Sequence, residues 1–349
     1  MIAHLNAIGT ATPDHDIHHA FVDWAAPRLA PRERKVFARM VERAEIDHRW
    51  SVLPGAGGSP VAPGGFYADP LLPPTSARMK LYAEYAPALA LEAIVALGDG
   101  FDPAAITHLV VASCTGFVAP GIDQILAAKL GLRNDVERLL IGFMGCYAAV
   151  TALRSARHIV RSEPGACVLV VTVELSTLHL QDETAIEPLL AMLQFGDGAA
   201  AAIVSAAPTG LALGEGFAAT LPDSAGLIRW DVGDAGFAMH LSGEVPGRIG
   251  QALADPALRT TLTGGAPIAH WAVHAGGRSI LDAVAHGLAL APEALAESRA
   301  VLRASGNMSS ATLMFVLARL LAQGVTGPGV ALAFGPGLAA EGLRFGPAG

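Results

Sequence analysis

Four short runs of apolar residues, rich in valine, isoleucine and alanine, recur along the chain with helical patterns between them. The clearest runs are residues 109–113, 168–173, 200–204 and 330–334. Continuous apolar runs of this length are typical of strands in a sheet that is covered on both faces. Between them, Leu153, Ala156 and Val160 follow three- and four-residue spacings, which place them on one face of a helix. The alternation predicts an α/β protein.

Two stretches interrupt this pattern. Residues 51–75 contain proline and glycine too often for regular structure, so we expect a surface excursion there. The segment from Ala206 to Gly210 marks a second change in composition, because it separates the half that contains the cysteines from the half that contains the later motifs. We therefore place a boundary there, between residues 1–207 and residues 208–349.

The amino-acid composition and net charge exclude several classes of protein. The chain has 349 residues, of which 52% are hydrophobic and 15% charged, so it can bury a large core and cannot be mainly disordered. Its length admits two domains or two similar halves. The net charge of −8 argues against a protein that binds nucleic acid through phosphates.

The cellular setting is predicted from what the sequence lacks. Three scattered cysteines make no disulfide framework and no zinc motif, so we expect a reducing compartment. No basic leader precedes an apolar run, and no apolar run reaches the ~18 residues that a membrane helix needs. We therefore expect a soluble, cytoplasmic protein that does not insert into a membrane.

Cys146 is the first candidate for chemistry. It follows an apolar run that breaks at Gly145, and a helical pattern begins directly after it. A thiol at the N-terminus of a helix is favoured as the thiolate, which is the nucleophilic form. The alternative is a small buried residue at the start of a helix, because free cysteines are often buried.

His274 and Asn307 are the next candidates. His274 ends a predicted strand and is followed by two glycines, so its imidazole should stand at the carboxyl edge of a sheet, where sites form in α/β proteins. Asn307 precedes a strongly helical stretch that begins at Ser309, and alone it is typical of a helix cap. Together, Cys, His and Asn can supply a nucleophile, a base and a second oxyanion donor.

The local motifs around these residues are more specific than the residue types. They read GCYAA around Cys146, HAGGRSIL around His274, GNMSSAT around Asn307, and then FGPGL from Phe334. In this order and spacing they resemble the type III polyketide synthases, the chalcone-synthase-like branch of the thiolase superfamily. The resemblance runs from about residue 5 to residue 345. It implies a thiolase fold, with five layers in the order αβαβα built from two similar halves.

The resemblance also implies a reaction. Cys146 would take an acyl group from an acyl-CoA starter, malonyl-CoA would lose CO2, and His274 and Asn307 would stabilise the enolate that attacks the bound acyl group. Repeated extension and cyclisation would follow. Coenzyme A thioesters would be substrates, and the reaction would need no metal or redox cofactor. We also expect Cys146 and His274 to form a thiolate–imidazolium pair at neutral pH.

Further positions match the family's substrate-binding residues. Phe195 and Met239 correspond to gatekeepers between the CoA tunnel and the condensation cavity, with Met239 replacing the phenylalanine of plant-like members. Cys114 and His179 correspond to cavity-lining positions, and for Cys114 a lining role without chemistry is the simpler interpretation. The remaining positions, on a predicted basic helix face, are Arg39 and Arg43, which correspond to CoA-binding residues.

The third CoA-binding position of that helix is Val36 here, where the family commonly has lysine, and neighbouring Lys35 is a candidate substitute. A solvated helix face is the alternative interpretation of the whole basic run. The family forms homodimers through a strand beside the catalytic cysteine, and we assign that role to residues 168–173, with Ala119 approaching the partner's cavity.

The sequence leaves the product and some alternatives open. Met239 favours a flexible fatty acyl starter and an alkylpyrone or alkylresorcinol product, whereas His179 occupies a position where a small residue would open an acyl tunnel. A ketoacyl-carrier-protein synthase of the initiating type uses the same three residue types for a single condensation. A papain-like protease lacks support from the local motifs. A thiolase-fold subunit that binds acyl groups without turnover is the non-enzymatic alternative.

Overall fold

The strands and helices follow the predicted alternation. The computed structural model describes residues 1–53, 59–69 and 71–348. Its strands are β1 Ala3–Ala11, β2 His15–Asp16, β3 Trp50–Ser51, β4 His108–Ser113, β5 Glu137–Gly142, β6 Val168–Leu175, β7 Asp197–Ser205, β8 Leu211–Thr220, β9 Ile228–Gly233, β10 Gly236–Leu241, β11 His270–Val273, β12 Gly329–Gly335 and β13 Ala339–Pro347.

The α-helices lie mostly between these strands in sequence. They are α1 His18–Ala25, α2 Pro31–Ala44, α3 Thr75–Val95, α4 Ile122–Lys129, α5 Ala148–Ser162, α6 Ile186–Met192, α7 Val245–Ala254, α8 Pro256–Thr263, α9 Arg278–Gly287, α10 Ala296–Ser305 and α11 Ser310–Gln323. The four apolar runs are confirmed as parts of β4, β6, β7 and β12, and the periodic segment before Val160 is confirmed as part of α5.

Nine strands form one mixed sheet in the order β11-β12-β13-β8-β1-β7-β6-β4-β5. The strands β4, β5 and β6 run parallel to one another, and β11 runs parallel to β12. The first strand joins the two halves, because β1 pairs with β7 along most of its length and with β8 from Ala3 to Leu5. The carboxyl ends of parallel strands meet at one edge, which is where α/β proteins form sites.

Successive side chains of each strand point to opposite faces of the sheet, and helices pack against both faces of each half. On β6, Val168 and Val170 belong to an apolar cluster with α5 and α11, while Leu169 and Val171 belong to one with α3 and α4. A third cluster packs α7 and α9 against the outer face of the other half. The layers are therefore a helix layer, one half of the sheet, a central helix pair, the other half of the sheet and a second helix layer. This order confirms the predicted thiolase-like architecture.

The expected dimer strand is wrongly assigned. Residues 168–173 belong to β6, which lies between β4 and β7 and is fully buried. Its backbone groups are already paired on both sides, so it cannot add a strand from a second molecule. The edge position in this half of the sheet belongs to β5.

The remaining predictions about organisation fall on loops. Residues 54–58 and 70 of the proline- and glycine-rich segment lie outside the described residues, and 59–69 consist mainly of turns. The boundary near Ala206 falls in the connection between β7 and β8. In the part of the chain that the structure describes, every helix is too short or too polar to cross a membrane.

Gly9 tests how closely the joining strand packs against its helix. A Cβ atom at Gly9 of β1 would lie 2.3 Å from the carbonyl oxygen of Ala93 in α3, so the backbone of one element would have to move. We expect Gly9→Ala to lower the free energy of unfolding by about 1–3 kcal/mol, as overpacking does. Urea denaturation followed by circular dichroism measures it. Gly226→Ala is the control, because the space around Gly226 is open, and equal midpoints for the two variants would refute the packing argument.

Candidate active site

Cys146 lies in a tight turn between the edge strand and a buried helix. It occupies the single 3-10 turn Gly145–Tyr147, which runs directly into α5. The turn needs glycine before the cysteine, because Gly145 has φ of +73° and a Cβ there would lie 2.4 Å from the Pro336 ring. The predicted location of the thiol at the start of a helix is confirmed.

His274 follows the carboxyl end of β11, in the other half of the sheet. Its backbone N–H donates to the carbonyl of Leu332, at 2.8 Å, and the glycine turn after it leads into α9 as predicted. The imidazole is buried, and neither ring nitrogen has a hydrogen-bond partner among the described residues. Buried polar atoms without partners are rare in folded proteins, and they are frequent where a substrate supplies the missing partner.

Asn307 is locked beside the loop that contains His274. Its Nδ2 donates to the carbonyl of Gly276 at 3.2 Å, and its Oδ1 accepts from the backbone N–H of Ser309 at 2.8 Å. The backbone of Asn307 forms a bridge with Phe195. Both ends of the amide are therefore oriented by backbone groups, and the bond to Ser309 precedes α11 and does not cap it.

Ser309 is a site residue that the sequence analysis did not single out. Its hydroxyl lies 3.2 Å from the sulfur of Cys114 and donates to the sulfur of Cys146 at 3.7 Å. Its backbone is strained, with φ of +47°. The structure thus places both thiols around one hydroxyl, and the only signal for this in the sequence is a hydroxyl residue two positions after Asn307.

Glu174 is a second site residue without a prediction. Its carboxylate is fully buried and accepts from the backbone N–H of Cys114 at 3.0 Å, from the Thr115 hydroxyl at 2.9 Å, and from the Ser310 hydroxyl. It ties the loop after β4 to the start of α11. A lone carboxylate inside an apolar strand was the available signal. Burial, with Glu174 nearby, raises the pKa of the Cys114 thiol well above its usual value, which disfavours a nucleophilic thiolate at this position.

Burial acts against the expected thiolate–imidazolium pair. It raises the pKa of the Cys146 thiol to about 11, although hydrogen bonds from Ser309 and Asn307 act in the opposite direction. Burial also lowers the pKa of His274 to about 3. No hydrogen bond joins the two side chains within the described ranges. Loss of hydration therefore favours the neutral thiol and the neutral imidazole over the two ions.

Three predicted substrate-binding residues line one cavity of about 280 Å³: Phe195, Met239 and His179. Most of its wall is apolar. His179 has both ring nitrogens occupied, since Nε2 donates to the carbonyl of Thr115 and Nδ1 accepts from the N–H of Phe237. Burial lowers its pKa to about 3, so it is a neutral wall residue.

Trp230 closes the side of this cavity that faces Cys114. Its indole N–H donates to the carbonyl of Cys114 at 2.8 Å. The ring packs edge-on against His179 and Phe237, and those two rings stack at 4.1 Å. Cys146, His274 and Asn307 are not among the described residues that line the cavity, which adjoins them through Phe195, the backbone partner of Asn307.

A second cleft, of about 740 Å³, reaches the loop after His274. Arg43, Gly276 and Arg278 line it, whereas Arg39 is exposed on α2 outside it. Arg278 donates to the carbonyl of Arg43 at 3.3 Å, which joins α2 to α9. The structure thus brings one of the two predicted CoA-binding arginines to the cleft and adds Arg278, which the sequence analysis did not select.

Helix α6 and the turn after it separate the cleft from the apolar cavity. Leu190, Ala191 and Gln194 face the cleft, whereas Met192 and Phe195 face the cavity. Asn307 is held to the backbone of this partition, because its N–H donates to the carbonyl of Gln194 at 2.8 Å. A substrate entering by the cleft and a chain stored in the cavity would therefore meet beside Asn307.

Comparison with known proteins agrees with this geometry. Two family models match: that of the N-terminal domain of chalcone and stilbene synthases over residues 2–208, and that of the C-terminal domain over residues 213–346. Among curated proteins, the chain is 31% identical over 366 aligned positions to the alpha-pyrone synthesis polyketide synthase-like Pks18 of Mycobacterium tuberculosis. The alignment covers 99% of this chain and 91% of Pks18.

Solved structures give the same result. The C-terminal type III polyketide synthase domain of Steely1, a type I/III hybrid from Dictyostelium, matches with a TM-score of 0.91, 26% identity and full coverage of both chains. PKS-I of the brown alga Ectocarpus siliculosus matches with a TM-score of 0.87 and 30% identity, over 99% of this chain and 98% of the alga's. The chain therefore belongs to the chalcone and stilbene synthase family and is a type III polyketide synthase.

Proposed function

We propose that this enzyme extends a fatty acyl-CoA starter several times with malonyl-CoA and releases an alkylpyrone or alkylresorcinol, with Cys146, His274 and Asn307 as its catalytic residues. The observation that carries the proposal is the convergence of a buried thiol, an amide fixed by the backbone, and a buried imidazole without a protein partner. Each of these is what acyl transfer followed by decarboxylative condensation requires.

Acyl transfer begins with neutral side chains. The sulfur of Cys146 attacks the thioester carbon of the starter while His274 takes the thiol proton, so a C–S bond forms and charge separates only in the transition state. The C–S bond to coenzyme A then breaks. The coenzyme A thiolate takes the proton from His274, and His274 returns to the neutral form. Coenzyme A leaves as a thiol, and the acyl group stays on Cys146.

Condensation uses the same donors. Malonyl-CoA loses CO2, and the electron pair of the broken C–C bond forms an enolate whose oxygen accepts from His274 and Asn307. The Asn307 amide has two N–H groups: one donates to Gly276, and the other, which interacts with the Cys146 thiol, can turn to the enolate oxygen once the sulfur carries the acyl group. The enolate carbon attacks the acyl carbon on Cys146, a new C–C bond forms as the C–S bond breaks, and Cys146 leaves as a thiolate that takes a proton from water. The extended chain is then on coenzyme A.

Both cavities support the assignment of substrates. The cleft with Arg43 and Arg278 suits the phosphates of coenzyme A, although Glu45 and Asp282 lie 3.2 and 3.3 Å from the Arg278 guanidinium and reduce its free charge. The apolar cavity beside Phe195 and Met239 suits an alkyl chain. Pks18 carries alpha-pyrone synthesis in its name. Coenzyme A thioesters are the only small molecules that the proposed chemistry needs.

We also propose that the enzyme is a homodimer joined along β5. This strand has one free edge, and its side chains Leu139 and Leu140 are 42% and 48% exposed. Two further apolar side chains, Phe117 and Phe143, are exposed and lie in contact with each other. Free strand edges with apolar side chains are typical of sites that pair with another chain. Ala119 lies in the loop after β4, next to this edge.

Product analysis tests the proposed reaction. The purified enzyme is incubated with malonyl-CoA, with and without acyl-CoA starters of graded length, and products are identified by mass spectrometry. We expect products of a fatty acyl starter extended by several acetate units, absent with Cys146→Ala. A single extension would instead assign a ketoacyl synthase, and a naphthalene product from malonyl-CoA alone would refute the fatty acyl starter. Absence of any acyl group on Cys146 would favour the non-catalytic alternative.

Alkylation of Cys146 tests the neutral pair. Because a raised pKa leaves little thiolate at pH 7, we expect the rate of inactivation by iodoacetamide to rise about tenfold per pH unit from pH 7 to 9, without a plateau. Peptide mass spectrometry separates Cys146 from Cys114 and Cys167. A plateau reached below about pH 8 would mean that the thiolate–imidazolium pair forms after all.

The oligomeric state tests the role of β5. Sedimentation equilibrium should give twice the chain mass of 35.8 kDa for the natural protein. A charge at an apolar contact disfavours association, so Leu140→Arg should give a monomer. Val95→Arg is the matched control, because Val95 is exposed at the end of α3, which packs mainly against β1, β6 and β7. A dimer that survives Leu140→Arg and dissociates with Val95→Arg would place the interface elsewhere.

A further inference from the structure

A second cluster of ionisable side chains lies at the amino ends of two parallel strands, at the other end of these strands from Cys146. His108 is the first residue of β4 and Glu137 the first residue of β5, and the two are paired in the parallel register. Glu163 follows directly after the end of α5. Cys146, in contrast, follows the carboxyl end of β5. The reaction that we propose uses none of these three residues.

The hydrogen bonds of His108 determine its protonation pattern. Its Nδ1 lies 2.8 Å from the hydroxyl oxygen of Thr107. That hydroxyl accepts from the backbone N–H of Cys167 at 3.0 Å and donates its only proton to the Cys167 carbonyl at 3.2 Å. With the hydroxyl proton on that carbonyl, Nδ1 is the donor to Thr107. In the neutral imidazole, the lone pair is then on Nε2.

This lone pair points at two negative groups. The His108 side chain is only 7% exposed, and its Nε2 lies 3.8 Å from a carboxylate oxygen of Glu137 and 3.8 Å from one of Glu163. These distances are too long for hydrogen bonds, and Nε2 has no other partner among the described residues. A ring nitrogen and two carboxylate oxygens this close together form a donor set that a divalent cation can bind.

The spacing of the three atoms suits a metal ion. All three lie within 4.8 Å of one another. Zinc bonds to nitrogen and oxygen of about 2.0–2.2 Å place tetrahedral ligands about 3.4 Å apart, so each exposed glutamate would need to rotate only slightly. Histidine ligands of zinc commonly donate their other ring N–H to an oxygen, as His108 does to Thr107.

We propose that His108 Nε2, Glu137 and Glu163 bind a divalent cation of the zinc type, with water completing the coordination. The ion would join the start of β4, the start of the edge strand β5 and the end of α5. Since β5 leads into Cys146 and α5 begins directly after it, the site would stabilise both elements that flank the nucleophile. This site is structural, and it is independent of the function proposed above.

Zinc titration of the full-length, chelator-treated protein tests the site. Isothermal titration should give one ion per chain, and thermal unfolding with zinc should shift upward by at least about 3 °C. Cobalt(II), used as a probe, should give the visible absorption of a four-coordinate site. Each of Glu137→Gln and Glu163→Gln should weaken zinc binding at least tenfold, and both glutamates are exposed, so neither change threatens folding.

Two controls separate this site from other metal-binding groups. Glu84→Gln with Glu92→Gln removes two exposed carboxylates from α3, and it should leave zinc affinity unchanged. Cys146→Ala should also retain the ion, which excludes binding by the catalytic thiol. Absence of stoichiometric binding, or equal affinity after removal of both Glu137 and Glu163 carboxylates, would overturn the proposal. The proposal would also fail if His108 stabilised the protein in a way that depends on pH and not on zinc. That result would identify an imidazolium paired with the two carboxylates.

Discussion

Burial of α5 and α11 between the two halves of the sheet is the constraint on which the reaction centre depends. Both helices are packed against strands on two sides, so they can neither tilt nor shift without opening the core. Cys146 stands just before α5 and Ser309 just before α11. The packing of two apolar helices therefore determines how far apart a thiol and a hydroxyl lie.

Burying polar groups at the ends of these helices is unfavourable unless they are hydrogen-bonded, and a hydrogen-bond network provides their partners. Glu174 accepts hydrogen bonds from the loop after β4 and from the start of α11, so a charge-bearing group inside the core has partners on several sides. Asn307 is satisfied by two backbone groups. Of these three residues, His274 is the one whose ring nitrogens both lack a partner among the described residues, which leaves its hydrogen-bonding capacity for a substrate.

The burial of the reaction centre also affects the charges of Cys146 and His274. A helix N-terminus favours a thiolate, whereas removing Cys146 and His274 from water disfavours both ions. A neutral thiol beside a neutral imidazole can still react, because the proton moves as the C–S bond forms. Substrate specificity lies elsewhere, in the partition between cleft and cavity and in the aromatic wall around Trp230.

The sequence by itself determined the α/β class, the main strands, the helix after Cys146, and the motifs that identify the family. These features depend on local periodicity, glycine turns and residue order, which a chain carries before it folds. Cys146, His274 and Asn307 were found because each stands next to a glycine or at the end of an element. Tertiary structure alone decided that β6 is central and β5 the edge, since strand order depends on pairing between distant segments. It also decided the positions of Ser309, Glu174, Trp230 and Arg278, because contacts between residues 60 to 235 positions apart leave no periodic trace in a sequence.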